Sequence, residues 1–170
     1  MPLNKLKTYN ELLDIASLNS HQRDITLRGI FNRDFVDIDT DSLKFKNKKI
    51  YPTPNDGAIT IETLFSHLTT EMTDKVNRTR CFDYHRSIRL HWVKHHLNEN
   101  KKDNMLFFSV REPEGIRTYY YDKDEKYVLV LEPLKRVDGY YLLSAYLIRG
   151  KDASRDKMMK KYQRKLDIVY

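Results

Sequence analysis

A single cysteine, Cys81, stands in 170 residues, so no intrachain disulfide can form, and without a second thiol nearby it is a poor start for a zinc site. A small half-buried residue is the expectation there. No stretch reaches the roughly 18 continuous apolar residues of a membrane span, and Met1-Pro-Leu-Asn-Lys lacks the apolar core of a signal peptide. A cytoplasmic protein without membrane contact is expected. Nor is the composition that of a disordered chain, since hydrophobic residues make up 40% and charged residues 32%, inside the globular range. The length suits one domain with a proper core and is short for two.

Metal motifs are incomplete. Asp34, Asp37, Asp39 and Asp41 lack the glycine and terminal glutamate of a calcium loop and read as a solvated acidic connection. His91 and His95 lack both the glutamate of an HExxH pattern and a third ligand, and His67 with Glu71 reads as an exposed helical pair. Neither a metal nor another cofactor is expected. Asn77-Arg78-Thr79 matches a glycosylation acceptor only formally.

What is present is positive charge, unevenly placed. Residues 1–75 carry 10 Lys+Arg against 11 Asp+Glu, net −1, whereas residues 76–170 carry 21 against 13, net +8. A basic half on a near-neutral half is the footprint of contact with a polyanion, because each cation placed at a phosphate releases condensed counterions. A basic surface that serves only solubility has the same composition.

Periodicity places a helix over 9–18, opened by a Thr8/Glu11 capping box, and a second from Ser20 through Leu27, Ile30 and Phe31. Residues 44–57 hold four lysines, Pro52, Pro54 and an Asp56-Gly57 turn, and read as a loop and boundary. A third helix carries Ile61, Leu64, Phe65, Leu68 and Met72 on its core face. Strands are expected over 105–111, 116–121, 127–132 and 140–148, the third apolar on both faces as suits a central strand. Arg117 shares its face with Tyr119 and Tyr121, Lys135 and Arg136 lie in the last connection, and Ser144 is the small polar residue of a strand that also carries Tyr146. After Gly150 the tail reads as a basic helix with Met158, Met159 and Tyr162 turned inward. The fold class is thus α+β: a helical portion over 1–75, then over 76–170 a basic helix, a four-stranded antiparallel meander and a C-terminal basic helix, packed as one domain.

The basic helix, over 82–97, is the most informative. A helical wheel gathers Phe82, Leu90, Val93 and Leu97 on one stripe with Arg86 among them, and a buried guanidinium needs a partner or a cavity. Beside that stripe stand His85, Arg89, Trp92 and His96, a set suited to phosphate and a stacked base. An ordinary polar helix surface has the same residues.

An arginine-bearing helix before a tryptophan, an aromatic strand, an Arg-Thr-Tyr strand, a Tyr-Val-Leu-Val strand and a Ser-Ala-Tyr strand, in that order over 78–149, resembles the phage-type nucleases of the barnase, EndoU, colicin and RelE superfamily. The resemblance implies metal-independent RNA cleavage, in which a ribose 2′-hydroxyl attacks its own phosphate and needs a base, an acid and cations at phosphorus. Carried onto this sequence it makes Arg86, Arg89, Arg117 and Ser144 catalytic, with His85 as acid or base. Trp92, His96, Tyr119, Lys135, Arg136 and Tyr146 are the accompanying nucleic-acid contacts. It further implies a toxin or phage-defence effector with an acidic antitoxin or immunity protein. The same surface without catalysis would be a nucleic-acid-binding module, and a protein-interaction component with incidental charge is the third alternative.

Overall fold

From its N-terminus the chain of the computed structural model, which describes residues 2–54 and 57–170, forms a short helix α1 (Pro2–Lys5) and then helix α2 (Ser20–Phe31). Helix α2 runs on into a π-helical turn, Asn32–Val36. Strands β1 (Lys44–Phe45) and β2 (Lys48–Pro52) follow, then helix α3 (Thr60–Thr69) and a hairpin of β3 (Thr70–Asp74) and β4 (Thr79–Phe82). Helices α4 (Tyr84–Ser87) and α5 (Leu90–Leu97) lead into strands β5 (Met105–Glu112), β6 (Gly115–Asp122), β7 (Tyr127–Pro133) and β8 (Gly139–Leu147). Helices α6 (Lys151–Ser154) and α7 (Lys157–Gln163) complete the order.

The fold is α+β, but the main sheet has six strands in the order β1-β2-β8-β7-β6-β5, not the four of the expected meander. The additional pair comes from the lysine-rich segment read as a loop. Lys46 and Asn47 both take positive φ (53° and 66°), the mirror-image two-residue turn whose twist suits a hairpin. That turn buries Phe45 and Ile50 and lays β2 parallel to β8. Gly139 makes this pairing possible, since a Cβ there would stand 2.8 Å from the Lys49 carbonyl oxygen. Asp56 of the expected Asp56-Gly57 turn lies outside the described residues.

Alternation gives the sheet two covered faces. Tyr120, Leu129, Leu131 and Leu142 point toward the N-terminal layer, where Phe45, Leu64, Leu68 and Trp92 complete the larger core. Phe108, Tyr119, Tyr121 and Val128 point the other way, under Met158 and Tyr162 of α7. The basic tail is two short helices, interrupted where Asp156 adopts a left-handed conformation (φ 50°).

The expected 82–97 helix is divided likewise. Phe82 ends β4, Asp83 caps α4 by accepting from the Arg86 amide at 3.1 Å, and α5 begins only at Leu90. Leu90, Val93 and Leu97 are core, but Phe82 is exposed, and so is Cys81 on β4. Helix α3 stops at Thr69, which puts Met72 on β3 instead of the helical core face.

Residues 9–18 are not helical. The Thr8/Glu11 pairing does form, with the Thr8 amide and hydroxyl donating to the Glu11 carboxylate at 2.7 and 2.8 Å. Asn10, however, takes φ 71°, and the segment becomes an extended strap over α5. The Thr8 carbonyl accepts from His91 Nε2 at 2.9 Å, the Glu11 carbonyl accepts from Trp92 Nε1 at 3.2 Å, and the Leu13 amide donates to the Ile88 carbonyl. Tertiary partners for the backbone win over local helical preference.

The strap is fastened at Asp122, which is fully buried. Its carboxylate accepts from the Tyr9 hydroxyl and from Lys101 Nζ at 2.9 Å, and lies 3.4 Å from His96 Nε2. Burial opposes the charge, but the close approach of His96 and the bonds from Tyr9 and Lys101 outweigh it and hold the carboxyl far below its ordinary range. Beside it His95 stacks on Tyr9, centroids 4.2 Å apart. Burial, with His96 and His91 nearby, lowers its pKa to about 4.

Two outcomes follow from this node. Asp122→Asn leaves Lys101 and Tyr9 facing an uncharged group and should cost about 3 kcal/mol, read from urea unfolding at neutral pH. In the unfolded chain His95 titrates near 6.5, so the unfolded state takes the proton first and stability should fall as pH drops from about 6.5 to about 4. The depressed Asp122 carboxyl adds a further loss below its ordinary 3.8. His95→Phe, which keeps a ring on Tyr9, should flatten the first decline; an unchanged pH profile would show that His95 is not its source.

Candidate functional site

Helices α3 and α4, the β3–β4 hairpin, β8 and α7 enclose a cleft of 350 Å³ on the α7 side of the main sheet. Arg86 is its central side chain. Nη1 of its guanidinium donates to the carbonyls of His67 and Thr70 and to Ser144 Oγ, each at 3.0 Å. Nε lies 3.3 Å from the Asp83 carboxylate, and the guanidinium sits 5.2 Å from the centroid of the Tyr146 ring. One nitrogen thus ties α3, β3 and β8 together. Nη2 makes no hydrogen bond among the described residues.

Arg80 reaches the same place from β4. Its Nε donates to Thr70 Oγ1 at 2.8 Å and its Nη2 to the Thr70 carbonyl at 2.9 Å, so both arginines share that carbonyl oxygen. Arg80 has no ion pair among the described residues, and its pKa is lowered by burial and by Arg86. Two partly desolvated cations beside one another with a single carboxylate, Asp83, are an arrangement that an anion relieves.

His67 lines the cleft between them. Its Nδ1 stands 3.1 Å from the Leu143 carbonyl oxygen, an acceptor only, so Nδ1 carries the proton and Nε2 keeps the lone pair. Burial, then Arg80, hold its pKa below the ordinary value. The imidazole is therefore neutral at pH 7 and able to accept a proton. Lys157 and Lys161 of α7 complete the wall, the first paired with Asp152 at 3.2 Å and the second with Glu112.

An adjoining cleft of 330 Å³ shares Arg86 and Tyr146 and adds His85, Arg149, Glu71 and Asp152. The two clefts meet at Arg86, with one imidazole in each. Of the residues expected from the sequence, Arg86, Ser144, Tyr119 and Tyr146 come together in the first, and His85 in the second.

The others lie elsewhere. Trp92 and His96 are buried, at 2% and 0% exposure, and have no surface to offer a base: the eight-residue α5 turns that edge toward the strap and Tyr127. Arg89 donates to the His85 carbonyl at 2.9 Å and packs over Trp92. Arg117 shares the sheet face of Tyr119, yet it pairs with Glu132 at 3.4 Å and does not line the cleft. Lys135 and Arg136 are exposed on the β7–β8 connection. Among the described residues no group of three or more His, Cys, Asp or Glu side chains is placed to hold a metal. Conversely His67, Arg80, Lys157 and Lys161 were not expected. The overlooked signal was the alternation Thr79-Arg80-Cys81-Phe82, which marks a strand and turns Arg80 to the side opposite Cys81.

Comparison of the chain with family models, with curated proteins and with solved structures finds no match.

The state of His67 offers a direct check. Its NMR titration midpoint should lie below the ordinary value of about 6.5. Arg80→Ala removes a neighbouring positive charge and should raise it, as should added inorganic phosphate. A midpoint unmoved by both would mean that no anion enters between Arg80 and Arg86.

Proposed function

We propose that the protein is a metal-independent RNA endonuclease, kin to the phage-type nucleases that the order of its sequence segments over 78–149 resembles. The observation that carries this reading is the junction at Arg86: an uncommitted guanidinium nitrogen, a serine hydroxyl and a neutral imidazole face one cleft, and a second imidazole faces the next. Each part has a role in phosphodiester cleavage. His67 Nε2 takes the proton of the ribose 2′-hydroxyl, O2′ attacks phosphorus and the P–O5′ bond breaks. His85 gives its proton to O5′, leaving a 2′,3′-cyclic phosphate and a 5′-hydroxyl. Arg86 and Arg80 balance the charge that gathers on the non-bridging oxygens, and Ser144, whose oxygen already accepts from Arg86, donates its hydrogen to one of them. The 2′-hydroxyl nucleophile selects RNA over DNA. An acidic antitoxin or immunity protein would cover the same cations.

Relative to the expectation from sequence, which has His85 as acid or base, His85 keeps the role of acid and His67 is added as the base, while Arg89 and Arg117 leave the reacting set. Total RNA incubated with the protein in excess EDTA should be cut to products ending in cyclic phosphate. His67→Gln and His85→Gln should each slow cleavage by about 100-fold or more with unchanged unfolding midpoints. A requirement for divalent metal, or full activity in both variants, would overturn the proposal. Salt-sensitive binding of RNA that is never cut would leave the non-catalytic module in its place.

A further inference from the structure

The cationic cleft does not end at Arg80. His67, Met72 and Arg80 are also walls of a neighbouring cleft of 200 Å³, completed by Pro54, Thr63 and, in the turn of the β3–β4 hairpin, Arg78. Among the described residues no carboxylate lines either one, whereas the cleft on the far side of Arg86 contains Glu71, Asp83 and Asp152. Cations therefore continue from Arg86 through Arg80 to Arg78 with no carboxylate between them among the described residues, whereas on the other side Arg149 is accompanied by acids.

Arg78 is held in place by its turn. Asp74 Oδ1 accepts from the amides of Val76 at 2.9 Å and Asn77 at 3.2 Å, and Oδ2 accepts from the Asn77 side-chain amide at 2.7 Å. Asp74 is thus occupied within the turn, and Arg78 has no ion pair among the described residues. Its φ of 54° is a conformation that side chains other than glycine, asparagine and aspartate seldom adopt. Between the two cation sets lies Met72, 43% exposed, an apolar thioether on which a base can rest.

We infer that Arg78 forms a second phosphate subsite, beside the one that Arg80 and Arg86 share, and takes the neighbouring phosphate of the same strand, so that the hairpin is a clamp for single-stranded oligonucleotides. Identification of the ligand as RNA rests on the proposed function; the subsite itself rests on the continuity of the two clefts. An unpaired strand is the ligand that two small adjoining clefts, of 350 and 200 Å³ with an apolar side chain between their cations, suit.

Binding separates the subsite from catalysis. Fluorescently labelled 2′-O-methyl oligonucleotides lack the attacking hydroxyl and stay intact, so their dissociation constants can be measured with the whole protein in EDTA. Native protein should bind a hexamer far more tightly than a dimer. Arg78→Ala should weaken the hexamer about tenfold, as expected for one charge-assisted contact, and the dimer less than twofold. It should also reduce the salt slope for the hexamer by about 0.7. Arg111→Ala, an exposed arginine on β5 outside both clefts, should change neither affinity.

Equal losses for dimer and hexamer, no loss for either, or a duplex that competes as well as a single strand would each overturn the subsite. Length-dependent binding lost in Arg78→Ala, with natural RNA left uncut, would support the subsite and remove only the catalytic proposal. Failure of the native protein to bind any oligonucleotide would overturn both.

Discussion

The hydrogen bonds fanning from Arg86 Nη1 are the constraint on which the cleft depends. Their acceptors lie on α3, β3 and β8, elements brought to one point from residues 67 to 144. A guanidinium suits this position because its planar fork can satisfy several acceptors while another nitrogen still faces outward. In the proposed function, brace and ligand-binding group are therefore one side chain. A lysine would present a single nitrogen and would have to choose between the two tasks.

The same division of labour recurs at Asp122, on the opposite side of the sheet. There a buried carboxylate gathers a phenol, an imidazole and an ammonium from segments that have no regular structure of their own or are too short to be stable alone. Isolated helices of eight residues are marginal in water; α5 persists because the strap gives its histidine and tryptophan side chains backbone acceptors. Polar bonds to main-chain atoms do here what long amphipathic helices do in other small α+β proteins.

How much of this was legible in the sequence depended on whether the signal was local. Alternation over Ile116, Thr118 and Tyr120, the doubly apolar β7 and the Pro113–Gly115 turn gave the four consecutive strands to within a residue or so. Arg86 and Ser144 were singled out because each was the wrong chemistry for its surroundings, and that mismatch is visible in one dimension. Arg117 could not be placed outside the cleft from sequence, because its partner, Glu132, is a cross-strand neighbour that only the register of β6 against β7 brings close. His67 was passed over because a helical wheel shows which residues share a side but not what that side faces; the Leu143 carbonyl, on another element, decides its tautomer. The strap failed as a helix for the same reason, its competitors lying some eighty residues downstream.

The parallel pairing of β2 with β8 carries a kinetic consequence. Every other neighbouring pair in the main sheet is a hairpin of adjacent strands, which closes quickly over a short loop. The Lys49–Gly139 contact spans ninety residues of chain. During synthesis β1 and β2 must therefore wait, unpaired on one side, until nearly the whole meander has emerged. The four lysines of 44–49 stand where a nascent edge strand most needs charge to keep it from pairing with another chain. The lysine-rich composition that made this segment look like a loop is thus well matched to a strand that has to remain soluble before its partner exists.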